Sequence, residues 1–132
     1  MILSSPYTRA IETAYIIAQK LNVPVRCEFD LREWEQEVSK QFDEVQFREL
    51  LTEMKQNKGV WNKNCKYKWE SLQDLGERVF NVIRKYDSYE KIIVVSHMMV
   101  ISQFVYKDRI KNCEIIKVDF NNNLEPNGFV EK

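Results

Sequence analysis

Apolar residues fall along this chain with two periods, one helical and one extended. Ala10, Ala14, Ile17 and Leu21 recur at helical spacing, which predicts a helix running to about Leu21 and stopped by Asn22 and Pro24. Residues 1–4 before it read as a short strand entering a turn. Ser5 and Pro6 then form a helix opening, with serine as cap and proline where a missing N–H is harmless. Residues 23–29 read as a shorter second strand and the acidic stretch 30–39 as a loop. Phe42, Val45, Phe47, Leu50, Leu51 and Met54 mark a second helix over 40–56, with Gly59 as its stop. Leu72, Leu75, Val79, Val82, Ile83 and Tyr86 make a strong stripe through a third helix, opened by the capping pattern of Ser71 and Asp74. Residues 91–96 hold a β-branched run without alternation, the pattern of a strand buried on both faces of a mostly parallel sheet. A fourth helix over 98–107, an alternating strand over 114–120, a turn cluster over 121–127 and an edge strand over 129–131 complete the reading. The order predicts an α/β fold, a three-layer sandwich whose mostly parallel sheet is flanked by helices, in a single domain spanning 1–132.

Composition narrows the function. Lys+Arg and Asp+Glu balance at 20 each, so no net field draws the chain to nucleic acid or to an anionic membrane. Residues 61–69 interleave lysines with aromatics, the one stretch compatible with single-strand stacking. With zero net charge it reads instead as a loop covering a site. No apolar run is long enough to span a bilayer. Cys27, Cys65 and Cys113 are far apart and odd in number, which argues against a disulfide framework and for a reducing cytoplasm. With 1 histidine and no C-x-x-C, a structural zinc site is not expected.

Three places hold candidate chemistry. Arg9 stands in the first turns of a predicted helix, where the dipole disfavours a cation unless an anion binds too; an amphipathic surface arginine is the alternative. His97 follows the most buried-looking strand, at the carboxyl end where ligands bind in parallel sheets. Imidazole there can act as acid, base or nucleophile, or be a structural histidine satisfied by backbone. Glu33 precedes Trp34; a carboxyl beside an indole can have a raised pKa and serve as general acid, or can be one more solvated loop carboxylate. Cys27 and Arg32 miss the C-x5-R spacing of cysteine phosphatases by one residue, and neither a P-loop, a dinucleotide fingerprint nor a nucleophile elbow is present.

Taken in order, the motifs resemble those of the histidine phosphatase superfamily (phosphoglycerate mutase-like). Ser4-Ser5-Pro6-Tyr7-Thr8-Arg9-Ala10 with Thr13-Ala14 is similar to S-S-P-x-x-R-A-x-x-T-A. Leu31-Arg32-Glu33 resembles the L-x-E segment, Glu70-Ser71 with Asp74 and Arg78 the E-S-x-x-D-x-x-x-R helix start, and residues 92–101 the strand ending in S-H-G-G-x-I. The resemblance implies phosphomonoester hydrolysis through a phosphohistidine. Arg9 would clamp the phosphate, His97 would polarise it as the second histidine, Glu33 would protonate the leaving oxygen, and the Met98 N–H would add an oxyanion contact. No metal or other cofactor is implied; the partner is a small-molecule phosphomonoester or inorganic phosphate.

Two departures stand out. No R-H-G occurs in the chain, so the nucleophilic histidine is missing, with the first strand and helix that would carry it. The expectation is therefore a truncated, inactive domain; the alternative is a non-catalytic relative that binds a phosphate ligand or a protein. In either case the sheet edge left open could pair with a second copy. Met98 and Met99 also stand where the family has glycines, which would narrow the pocket.

Overall fold

Residues 1–36, 41–105, 107 and 109–120 are described in this computed structural model. Strands β1 (Ile2–Ser4), β2 (Val25–Cys27) and β3 (Ile93–Val95) form a parallel sheet in the order β2-β1-β3. Leu3 lies opposite Arg26 on one side and Val94 on the other. Helix α1 (Thr8–Leu21) connects β1 to β2; α2 (Glu44–Gln56) and α3 (Leu72–Arg84) follow, and α4 (Met98–Ile101) comes after β3.

Successive strand residues point to opposite faces, and the core divides accordingly. Ile2 and Val95 pack with Ala14 and Ala18 of α1. Leu3 and Val94 pack with Leu75, Val79, Val82 and Ile83 of α3. Helices thus cover both faces of a parallel sheet, the predicted α/β architecture. The alanines at 10, 14 and 18 are all buried; their small side chains let α1 lie close to the strands. Asn22 ends α1 in the left-handed region at φ 51°, which asparagine tolerates.

Helix ends follow side-chain chemistry. Asp43 caps α2 in a reciprocal box with Gln46, and the Ser71 hydroxyl accepts the Asp74 N–H at 3.1 Å at the start of α3. Beyond α2, Gly59 adopts φ 74°, and a Cβ there would lie 2.4 Å from Leu72 Cδ1. Only glycine fits both demands.

Several expectations need correction. Ser5 does not cap α1; Tyr7 is its N-cap residue, without a side-chain cap, and the Ser5 hydroxyl accepts the Tyr7 N–H one turn earlier. The second strand is shorter than 23–29, because residues 29–31 wind into a 3₁₀ turn. The fourth helix ends at Ile101 and continues only as turns to Phe104. Strand β3 is not buried on both faces: Ile93 is exposed, because the cluster that α1 builds on that face takes in Val95 and not Ile93. Residues 114–120 do not form a strand. Their exposure does alternate, with Ile116, Val118 and Phe120 turned partly inward, and Phe120 packs on Phe80 and Phe104. Alternation supplies the face, but a strand also needs a hydrogen-bonding neighbour, and among the described residues none pairs with this segment. Residues 37–40, 121–127 and 129–131, for which a helix start, a turn and a strand are expected, lie outside the described residues.

Candidate active site

The carboxyl ends of β1 and β3 are tied together before any side chain is considered. The Ser5 N–H donates to the Val95 carbonyl at 3.0 Å, so the segments leaving both strands run side by side. The Ser96 hydroxyl donates to the Leu31 carbonyl at 2.7 Å, which brings the turn after β2 to the same end. Arg9, Glu33 and His97 each belong to one of these three segments.

His97 is buried, and both ring nitrogens have protein partners. Its Nδ1 lies 3.1 Å from Arg9 Nη2. A guanidinium only donates, so Nδ1 accepts and the proton of the neutral ring sits on Nε2. That Nε2–H donates to the Ser5 hydroxyl at 2.7 Å. Tyr7 packs against the imidazole with ring centroids 5.1 Å apart, and the Arg9 guanidinium lies 5.0 Å from the Tyr7 ring centre. Burial, with the charges of Arg9 and Arg78 adding to it, pushes the His97 pKa down to about 4. The ring is neutral at neutral pH.

Glu33 is shifted the other way. Burial raises its pKa above the ordinary carboxylate value, against the Trp34 N–H, Arg9, the Met99 N–H and Arg78, which favour the charged form. The Trp34 N–H donates to the Glu33 carboxylate at 2.8 Å. Trp34 is itself buried, but its indole N–H turns away to the Glu70 carbonyl at 2.7 Å. The backbone of Trp34, and not its indole nitrogen, is what the carboxylate binds. Met98 opens α4 with its side chain exposed; of the α4 amides, it is Met99's that acts on Glu33.

Sequence reasoning did not single out Ser5 and Tyr7 as partners of His97. Their adjacency to Arg9 was the available signal. Together the groups offer a guanidinium, a neutral imidazole whose Nδ1 accepts from that guanidinium, and a carboxyl that holds its proton to higher pH than usual. This set can bind an anion, spread its charge and protonate a leaving oxygen. Among the described residues there is no group of three or more His, Cys, Asp or Glu able to hold a metal, and no helix long and apolar enough to cross a membrane.

Known proteins share this arrangement of elements. The chain is similar to mycobacterial glucosyl-3-phosphoglycerate phosphatase at 19% identity and a TM-score of 0.62, over 77% of this chain and 54% of that one. The complex of that phosphatase with inorganic phosphate matches at 19% identity and a TM-score of 0.62, over 77% and 55% of the two chains. An Escherichia coli protein provisionally assigned as an α-ribazole-5′-phosphate phosphatase matches at 23% identity and a TM-score of 0.55, over 78% and 53%. The chain spans about half the length of these structures, and at such identities the likeness speaks for the fold alone. No curated protein matches. The sequence itself matches the family model of the histidine phosphatase superfamily (branch 1) over residues 1–123, and the chain belongs to that superfamily.

Proposed function

We propose that this chain supplies the phosphate clamp, the second histidine and the general acid of a phosphomonoesterase working through a phosphohistidine. The observation that carries the reading is the contact between Arg9 and His97, with Glu33, whose pKa burial raises, at the same end of the sheet. A phosphoryl group entering there takes the guanidinium's hydrogen bonds and frees His97 Nδ1. The anion's charge then favours a proton on that nitrogen, so a weak acceptor becomes a cationic donor to phosphoryl oxygen. Glu33 delivers its proton to the leaving oxygen and, once ionised, activates water for the second step. The Met98 N–H is assigned a further contact to phosphoryl oxygen. The chemistry needs no metal.

The 132 residues hold 1 histidine, and the partners of His97 suit the supporting role. Attack on phosphorus therefore falls to a histidine outside them, in an R-H-G segment, and the chain alone hydrolyses little or nothing. The substrate class is a small phosphomonoester in a reducing, cytoplasmic setting. Among the described residues no strand pairs with the outer side of β3, and this open edge favours a second reading: a non-catalytic relative that binds phosphate or pairs with a protein or a second copy.

Hydrolysis of p-nitrophenyl phosphate near pH 6 separates the readings. Activity that requires an upstream R-H-G segment, and that falls in Glu33→Gln, supports the enzyme. Absence of activity with that segment in place supports the binding module. Activity in the chain alone, lost in His97→Ala, would make His97 the nucleophile and overturn its assigned role.

A further inference from the structure

Arg78 projects from α3, outside the set of groups given chemical roles above, and its environment is unusually complete. Its side chain is 11% exposed. Nε donates to Glu70 Oε1 at 2.6 Å and Nη2 to Glu70 Oε2 at 2.9 Å. Nη1 donates to the carbonyls of Asp30 at 2.6 Å and Arg32 at 3.0 Å, and Nη2 also donates to the carbonyl of Glu33 at 3.1 Å. A guanidinium has five N–H donors, and these contacts use all of them. None is left for a ligand, so Arg78 is placed to organise backbone and not to bind phosphate.

What it organises is the turn that carries Glu33. Glu70 completes the clamp from the other side: its carboxylate accepts the Glu35 N–H at 3.2 Å, its carbonyl accepts the Trp34 indole N–H at 2.7 Å, and its own N–H donates to the Glu35 carbonyl at 2.8 Å. The base of the clamp is rigid, because α3 is capped by Ser71 and buries Leu75, Val79, Val82 and Ile83.

We infer that Arg78 is a positioning residue, latching the backbone of residues 30–33 to α3 so that the Glu33 carboxyl stays buried at the end of the sheet that holds Arg9 and His97. The inference rests on the general-acid reading of Glu33 for its functional meaning, though the latch itself does not. A lysine at 78 keeps the charge but cannot span the carboxylate and the three carbonyls, since it is a point donor and not a planar fork.

The test is a ¹³C NMR titration of the Glu33 carboxyl in Arg78→Lys, with amide exchange of residues 32–35. The expected result is a Glu33 midpoint that falls back toward the ordinary 4.5, with those amides exchanging about tenfold faster or more and the α3 amides unchanged. A Glu33 midpoint as high as in the unmodified chain would overturn the inference. If Arg78→Lys fails to fold, Glu70→Gln keeps the side chain's shape and removes one of the two carboxylate acceptors of Arg78; a smaller shift in the same direction supports the latch, and no shift overturns it. Neither readout needs turnover. Failure of the general-acid reading would instead show as unchanged kcat in Glu33→Gln when the R-H-G segment is present.

Discussion

Arg9 donates to Nδ1 of His97 across 3.1 Å, although the two stand 88 residues apart in sequence. The contact is held by strands and not by the side chains alone, since each residue follows the carboxyl end of a neighbouring strand. It makes His97 an acceptor and works against its protonation. Arg9→Ala is expected to raise the His97 midpoint above about 4 while leaving it below 6.5, because burial is the larger cause of the depression. The same variant is expected to weaken phosphate binding about tenfold or more, the worth of one charge-assisted hydrogen bond. Proton NMR of the imidazole and calorimetric titration with inorganic phosphate measure the two effects.

Glu33 should govern stability at the alkaline side of its titration. Its pKa is raised in the fold above 4.5, so the folded state holds that proton more tightly than the unfolded chain. The contribution is fully present below 4.5 and is lost as pH rises through the folded value. Glu33→Gln, which cannot ionise, is expected to gain stability over the unmodified chain at pH 7 and nothing at pH 4. Urea denaturation at both values checks the sign.

His97 works in the opposite direction. Its folded pKa of about 4 lies below 6.5, so its contribution is full above 6.5, declines as pH falls, and has gone below about 4. The chain is therefore expected to lose stability between those values more steeply than a His97→Gln variant, as thermal melts across the range would show.

Two helix boundaries offer tests free of the site. Ser71→Ala removes the hydroxyl that caps α3 and should cost about 1 kcal/mol. Gly59→Ala should cost more than ~1 kcal/mol, since it combines φ 74° with a close approach to Leu72. Chemical denaturation gives both values.

The positions of Arg9, Glu33 and His97 were legible in the sequence because each is local to a motif; their chemical roles remain the proposal made above. His97 follows β3 directly, Arg9 lies in the first turn of the helix after β1, and Glu33 follows the 3₁₀ turn after β2; breaks in the hydrophobic runs mark all three places. The role of Arg78 was not legible. Its partners at 30, 32 and 33 lie more than forty residues away, and they are carbonyl oxygens, which any residue type provides. The same limit explains residues 114–120. Side-chain alternation records which atoms turn inward, whereas a ladder depends on a neighbour that the alternation does not name. The β-branched run of β3 predicts burial on both faces, yet Ile93 is exposed; hydrophobicity reports what a strand tolerates and not what packs over it.

The most direct test of the account follows the His97 imidazole by NMR while inorganic phosphate is added, in the unmodified chain and in Arg9→Ala. If phosphate enters between Arg9 and His97, the His97 midpoint climbs saturably from about 4 and the protein takes up a proton, with a much weaker response in Arg9→Ala. Imidazole resonances that ignore phosphate throughout the titration would contradict the account, because the pair would then be a closed structural contact and not a phosphate site.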